Sequence, residues 1–306
     1  MELRAIGSLP VSVVGLGCNN FGMRIEGDAS ARVVAAALDA GITFFDTADI
    51  YGDTKSETFL GQALGSRRTQ AIIATKFGMR LDESRRGARP EYVRTAVEDS
   101  LRRLRTDYID LYQLHQPDPS VPMADTLGAL DDLVKAGKVK QIGCSNFSAG
   151  QMEEAHRSAA PGGARFVSVQ NEFSLLHREP ERDVLPACAR LGLAFLPYFP
   201  LASGLLTGKY ARGKGAPEGS RLSLSWTARF TTAKNVAIAE ALQAFAATRG
   251  RTLLELAMSW LAAHAPVASV IAGATSPDQV RANAAAVNWR LAPEEIAEID
   301  RLAPPP

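Results

Sequence analysis

The chain has 306 residues, and its 34 Lys and Arg against 33 Asp and Glu leave a formal net charge of +1, so nothing in the overall balance draws it to nucleic acid or an anionic membrane. An apolar fraction of 46% with 22% charged residues excludes a disordered or collagen-like chain. Three scattered cysteines, Cys18, Cys144 and Cys188, exclude a disulfide framework and a CxxC metal site, and predict free thiols in a cytoplasmic protein.

The opening segment MELRAIGSLPVSVVGLGC ends like a lipoprotein leader, but Glu2, Arg4, Gly7 and Pro10 interrupt the apolar run a leader needs. No stretch reaches the ~20 uninterrupted apolar residues of a membrane span. Eight short apolar or β-branched runs then follow, at 13–17, 42–47, 71–76, 108–115, 139–145, 166–170, 193–198 and 268–273. The first seven recur at the spacing of one strand–helix unit, and runs that are apolar throughout suit strands buried on both faces. Helix signals fill the gaps. SARVVAAALDAG carries a 3.6-residue stripe, with Ser30 predicted as N-cap and Gly41 as the stop; Pro90 opens RPEYVRTAVEDSLRRLR at a first-turn position. TLGALDDLVKAGKV, SAGQMEEAHRSA and ERDVLPACARLG are amphipathic in the same way.

Eight such units predict a single (β/α)8 barrel spanning 1–306. Its one break in rhythm lies between the seventh and eighth runs, where 202–233 is expected to cover a cofactor or substrate; 303–306 is expected to be a loose tail. A doubly wound sheet is the rival. GLGCNNFG at 15–22 starts like the dinucleotide fingerprint G-x-G-x-x-G, but Asn20 stands where the third glycine belongs and no helix opens directly after it.

In a parallel barrel the C-terminal strand ends carry the chemistry. Those ends hold Asp46, Lys76 and His115 on the second to fourth strands, with Tyr51 in the loop five residues after Asp46. Later ends supply Ser145 and Asn146, Gln170, and Tyr198. Singly, each has an ordinary alternative: a turn aspartate, a rim aromatic, a lysine that snorkels or forms a Schiff base, a satisfied histidine. Together they make a proton-transfer set. An ammonium beside a phenol lowers its pKa, a carboxylate holds the ammonium, and a neutral imidazole orients a carbonyl.

At these residues the sequence resembles the aldo-keto reductase family, along nearly its whole length. DTADIYGDTKSETFLGQAL, ATKFG and YIDLYQLHQPDP resemble the segments carrying the family's aspartate and tyrosine, its lysine and its histidine. IGCSNFS, VQNEFSLL, YFPLASGLLTGKY and IAGATSPDQVRANAAA resemble its cofactor-binding segments. The resemblance implies an NADPH-dependent carbonyl reductase, NADH being the other dinucleotide. Tyr51 would be the proton donor, Lys76 and Asp46 its tuners, and His115 the carbonyl orienter. It implies that Ser145, Asn146 and Gln170 bind the carboxamide and that Tyr198 stacks on the nicotinamide. Phe199, Pro200, Leu201, Gly204 and Lys209 would lie along the diphosphate, and Gly17, Gly273, Gln279 and Asn283 would also touch the cofactor.

Two departures stand out: Phe199 replaces a serine common in relatives, and Thr275 and Ser276 stand where many carry the arginine that reads a 2′-phosphate, a task left to Arg281 or hydroxyls. Phe21, Tyr51, His115 and Trp226 are expected on the substrate rim and predict an apolar, aromatic-tolerant pocket. The partner expected is a small carbonyl substrate, without metal, nucleic acid or membrane, in a monomer or small homo-oligomer. A nicotinamide-binding regulatory subunit with little turnover is the alternative, and a Schiff-base aldolase using Lys76 a third reading.

Overall fold

A computed structural model describes residues 1–209, 221–223 and 225–305. The chain opens with a hairpin, β1 (Leu3–Ile6) and β2 (Leu9–Ser12), antiparallel around a two-residue Gly7-Ser8 turn in which Gly7 has φ +56°. The barrel follows: β3 (Val14–Gly17), β4 (Phe44–Asp46), β5 (Ile72–Phe77), β6 (Ile109–Leu114), β7 (Val139–Ser145), β8 (Phe166–Glu172), β9 (Ala194–Tyr198) and β10 (Val270–Gly273). These eight strands are parallel and pair in the order β10-β3-β4-β5-β6-β7-β8-β9. The ring nearly closes where Ala268 N donates to Phe195 O at 3.1 Å beside a Phe195–Val267 bridge.

Helices α1 (Gly27–Asp39), α2 (Lys55–Leu64), α3 (Pro90–Leu104), α4 (Met123–Lys135), α5 (Ala149–Ser158) and α6 (Val184–Leu191) connect the first seven barrel strands. Between β9 and β10 lie 3-10 turns at Ala202–Thr207, Arg221–Ser223 and Ser225–Phe230, then α7 (Ala233–Ala247) and α8 (Leu253–Ala262). Helices α9 (Pro277–Ala285) and α10 (Pro293–Leu302) complete the chain. Of the covering segment expected at 202–233, residues 210–220 and 224 lie outside the described residues.

Strand alternation sorts the side chains into two cores. Phe45, Ile73, Tyr112, Ile142, Cys144, Val169 and Phe195 point outward into the shell shared with the helices. Phe44, Ala74, Leu111, Leu196 and Ile271 point into the barrel, where Ile6, Leu9 and Val11 of the hairpin pack beneath them as a floor. Gly15 belongs to this inner layer because a Cβ there would lie 2.8 Å from both Phe44 Cδ1 and Ser269 Oγ.

The opening segment, whose apolar run Gly7 and Pro10 interrupt, is the floor hairpin, and its Gly-Ser turn between two short runs is the signal that could have revealed it. Two local expectations are corrected. Ser30 is buried inside α1, whose N-cap is Glu26, since the helix starts a turn earlier at Gly27. The tail begins tied down: Ala303 is buried and its carbonyl accepts from Arg178 Nη1 at 2.6 Å, while Pro306 lies outside the described residues.

Candidate active site

Two residues above the inward floor layer, the same alternation brings Asp46 over Phe44, Lys76 over Ala74, Tyr198 over Leu196 and Gly273 over Ile271. Polar residues thus occupy the C-terminal layer of an apolar barrel. Lys76 Nζ donates to Asp46 Oδ1 at 2.8 Å, to Asp46 Oδ2 at 2.7 Å and to the Thr47 carbonyl at 2.8 Å. Gln170 Nε2 donates to the same Asp46 Oδ1 at 2.8 Å. The Lys76 ammonium lies 5.1 Å from the Tyr51 ring centroid, and the Tyr51 and His115 rings meet edge to face at 5.8 Å.

A second chain of bonds fixes the far wall. Tyr198 OH donates to Asn146 Oδ1 at 2.8 Å, Asn146 Nδ2 donates to the His115 carbonyl at 2.9 Å, and Ser145 Oγ donates to the Gln170 carbonyl at 2.7 Å. Asn146 reaches these partners from a left-handed backbone, φ +61°, that asparagine tolerates better than most residues.

Burial pushes the Tyr51 hydroxyl above its ordinary value, and the Lys76 ammonium opposes this without reversing it. That balance differs from the sequence expectation of a lowered phenol. Burial is the largest cause, and Asp46, which grips the ammonium with both oxygens, adds to it. Burial pulls the Lys76 ammonium down, but Asp46 and Tyr51 together outweigh it and hold the pKa above normal. A fully buried, carboxylate-bound ammonium is not a free amine nucleophile, which disposes of the Schiff-base reading. Burial, reinforced by Lys76, pushes His115 well below its ordinary value, so its imidazole is neutral, and its buried Nδ1 has no hydrogen-bond partner among the described residues.

These groups form one end of a cavity of ≈ 840 Å³. Asp46, Tyr51, His115, Ser145, Asn146, Gln170 and Tyr198 line it, as do Gly17, Phe199, Pro200, Leu201, Gly204, Lys209, Gly273, Gln279 and Asn283. Lys76 sits behind Asp46 and does not line it.

Phe21 is fully buried and does not line the cavity either. Its turn lies so close beneath the Tyr51 loop that a Cβ on Gly52, at φ +58°, would stand 2.3 Å from the Phe21 carbonyl. Phe21 therefore supports the Tyr51 loop. Trp226 falls in the Ser225–Phe230 turn, with its side chain outside the described residues. Arg281 pairs with Asp278 and lines a separate surface groove with Arg32 and Asp39.

Sequence reasoning missed Arg24, Met79, Ser203 and Arg221, all of which line the cavity. Only their position after a strand end could have flagged Arg24 and Met79. Ser203 sits at φ +56° in the turn after β9, a conformation no local motif announced, and its buried Oγ has no partner among the described residues.

The aldo/keto reductase family matches residues 13–304. Two solved structures are similar over nearly their whole length. The glycerol dehydrogenase AKR11B4 from Gluconobacter oxydans is 34% identical with a TM-score of 0.84, over 98% of this chain and 94% of that one. The aldo-keto reductase AKR11C1 from Bacillus halodurans, in its holo form, is 33% identical with a TM-score of 0.82, over 99% and 96%.

Proposed function

The chain belongs to the aldo/keto reductase family of oxidoreductases, and from that premise we propose that it reduces an aldehyde or ketone with NADPH, NADH being the other dinucleotide to compare. The observation that carries this reading is the juxtaposition, at one end of a single cavity, of the Tyr51 phenol, the neutral His115 imidazole and the Lys76–Asp46 pair.

The residues present fit a dinucleotide. The cavity continues from Tyr51 past the β9 turn to Thr275 and Gln279 at the start of α9, where helix N–H groups favour an anion. On its wall the buried Ser203 hydroxyl has no hydrogen-bond partner among the described residues. Ser145, Asn146 and Gln170 would hold the carboxamide and Tyr198 the nicotinamide face. Phe199, Pro200, Leu201, Gly204 and Lys209 would follow the diphosphate; Gly273, Gln279 and Asn283 would meet the adenosine, with Gly17 allowing close approach. When bound, the nicotinamide supplies the hydride that no side chain can.

The chain's own groups do the rest. His115, held neutral by burial, offers a ring nitrogen to the carbonyl oxygen without introducing a charge. Tyr51, protonated at neutral pH, gives its proton to that oxygen as negative charge develops. Lys76, fixed by Asp46, to which Gln170 also donates, stabilises the phenolate that remains.

The test is nicotinamide absorbance while purified protein meets an activated aromatic aldehyde, with NADPH and NADH in parallel. Cofactor oxidation is expected, faster with NADPH. Tight dinucleotide binding without turnover across aldehydes and ketones would overturn the reading in favour of a binding subunit.

A further inference from the structure

Stacking on a nicotinamide needs a flat ring and makes no use of a phenol oxygen, so the role given to the Tyr198 ring leaves its hydroxyl unexplained. That hydroxyl donates to Asn146 Oδ1 at 2.8 Å. The direction is forced. Asn146 Nδ2 faces the His115 carbonyl at 2.9 Å, an oxygen that can only accept, and this leaves Oδ1 toward the phenol. Burial, and after it the Glu172 charge, pushes Tyr198 up to about 12, so the hydroxyl keeps its proton and stays a donor. Charge on Tyr51 acts in the same sense, so the donor persists when Tyr51 gives its own proton up.

Asn146 needs that donor. It is exposed on the cavity wall, where water competes for both ends of an amide, and its backbone sits at φ +61° just after β7. Its main-chain N–H is tied to the Gln170 carbonyl at 3.0 Å, while its side chain is oriented by Tyr198, the His115 carbonyl and Ser145 Oγ, the last at 3.2 Å. His115 needs Asn146 in turn. Its imidazole makes no hydrogen bond among the described residues: Nδ1 is buried without a partner, and the ring meets the Tyr51 ring edge to face. The main chain therefore holds it. His115 N donates to Phe77 O at 2.8 Å, and His115 O accepts from Asn146. Loss of either bond frees the point from which the imidazole is aimed.

We infer that Tyr198 is a positioning residue as well as a platform: its hydroxyl orients Asn146, whose amide clamps the His115 main chain and so aims the imidazole at the substrate carbonyl. The chain of bonds ties the ends of β9, β7 and β6 together across the site. This rests on the reductase reading for what His115 does there, while the clamp itself belongs to the protein without ligand.

The test is Tyr198→Phe, which keeps the ring and removes the oxygen, alone and in an Asn146→Gly background, glycine being at ease at that left-handed φ. With only four histidines in the chain, the imidazole 15N resonances of His115 can be followed in ligand-free protein. Tyr198→Phe is expected to displace them, Asn146→Gly to displace them at least as far, and the double variant to match Asn146→Gly alone, since the hydroxyl acts only through that amide. In turnover of an aldehyde with NADPH, kcat is expected to fall about tenfold in Tyr198→Phe while the dinucleotide Kd moves less than about threefold. His115 resonances unmoved by Tyr198→Phe would overturn the proposal. So would an unchanged kcat, with or without a weakened Kd, because the hydroxyl would then serve at most the stacked ring. Equal displacement by Tyr198→Phe in both backgrounds would also overturn it, since the hydroxyl would reach His115 by a route other than Asn146. Should no aldehyde turn over in the wild type, the reductase reading fails, and the His115 resonances still decide the clamp.

Discussion

Lys76 and Asp46 are a buried ion pair whose separate members are costly to strand. Lys76→Met leaves Asp46 with only the Gln170 amide as a hydrogen-bonding side-chain partner, and is expected to lower unfolding free energy by about 3–5 kcal/mol in urea titrations. It should also slow reduction, because the phenolate left on Tyr51 loses its cation. The pH dependence follows from the directions of the shifts. Tyr51 titrates above its ordinary value of 10 and His115 well below 6.5, so neither changes charge between pH 7 and 9. The rate of the reduction step is expected to be flat over that window and to fall only above about pH 10, where the acid is lost. A descending limb centred near pH 8 would contradict the assignment.

At the scale of elements, the loop that carries Tyr51 is anchored on its outer side by a second buried group. Asp49 lies between β4 and α2, with Tyr92 OH of α3 at 3.4 Å, and it is coupled to Glu57, which Thr75 and Arg103 hold. Burial, then the Glu57 charge, pushes Asp49 up to about 7. The folded protein therefore keeps a proton that the unfolded chain releases near 3.8, and this group's contribution to stability is lost as pH rises toward 7. Asp49→Asn is expected to gain on the order of 1–3 kcal/mol over wild type at pH 8 and little at pH 4, read by denaturation at both pH values. An equal effect at both would refute it. The floor hairpin makes the complementary case. Ile6→Ala should cost about 2–5 kcal/mol of stability while leaving kcat/KM unchanged, since Ile6 packs at the opposite end of the barrel from Tyr51.

Over the whole molecule, the strand–helix rhythm was legible because buried parallel strands are apolar throughout and helices keep a 3.6-residue stripe. That rhythm led to the barrel and to the strand ends where Asp46, Lys76 and His115 converge. What stayed hidden needed tertiary contacts. Phe21 reads as a rim aromatic until the Gly52 approach shows it buried under the Tyr51 loop, and Ala303 reads as tail until Arg178 binds its carbonyl. Arg24 and Arg221 are about two hundred residues apart, and no periodicity could bring them to one cavity. The direction of the Tyr51 shift was equally out of reach, because it depends first on how completely the folded chain buries the phenol. No described helix is long and apolar enough to cross a membrane.

In the proposed mechanism Tyr51 supplies the proton on a scaffold that binds the dinucleotide independently of it. Single-turnover oxidation of bound NADPH by an aldehyde, compared between wild type and Tyr51→Phe, tests it directly. The expected rate in the variant is lower by about 10²–10⁴, with the dinucleotide Kd unchanged. A variant that turns over at the wild-type rate would contradict it.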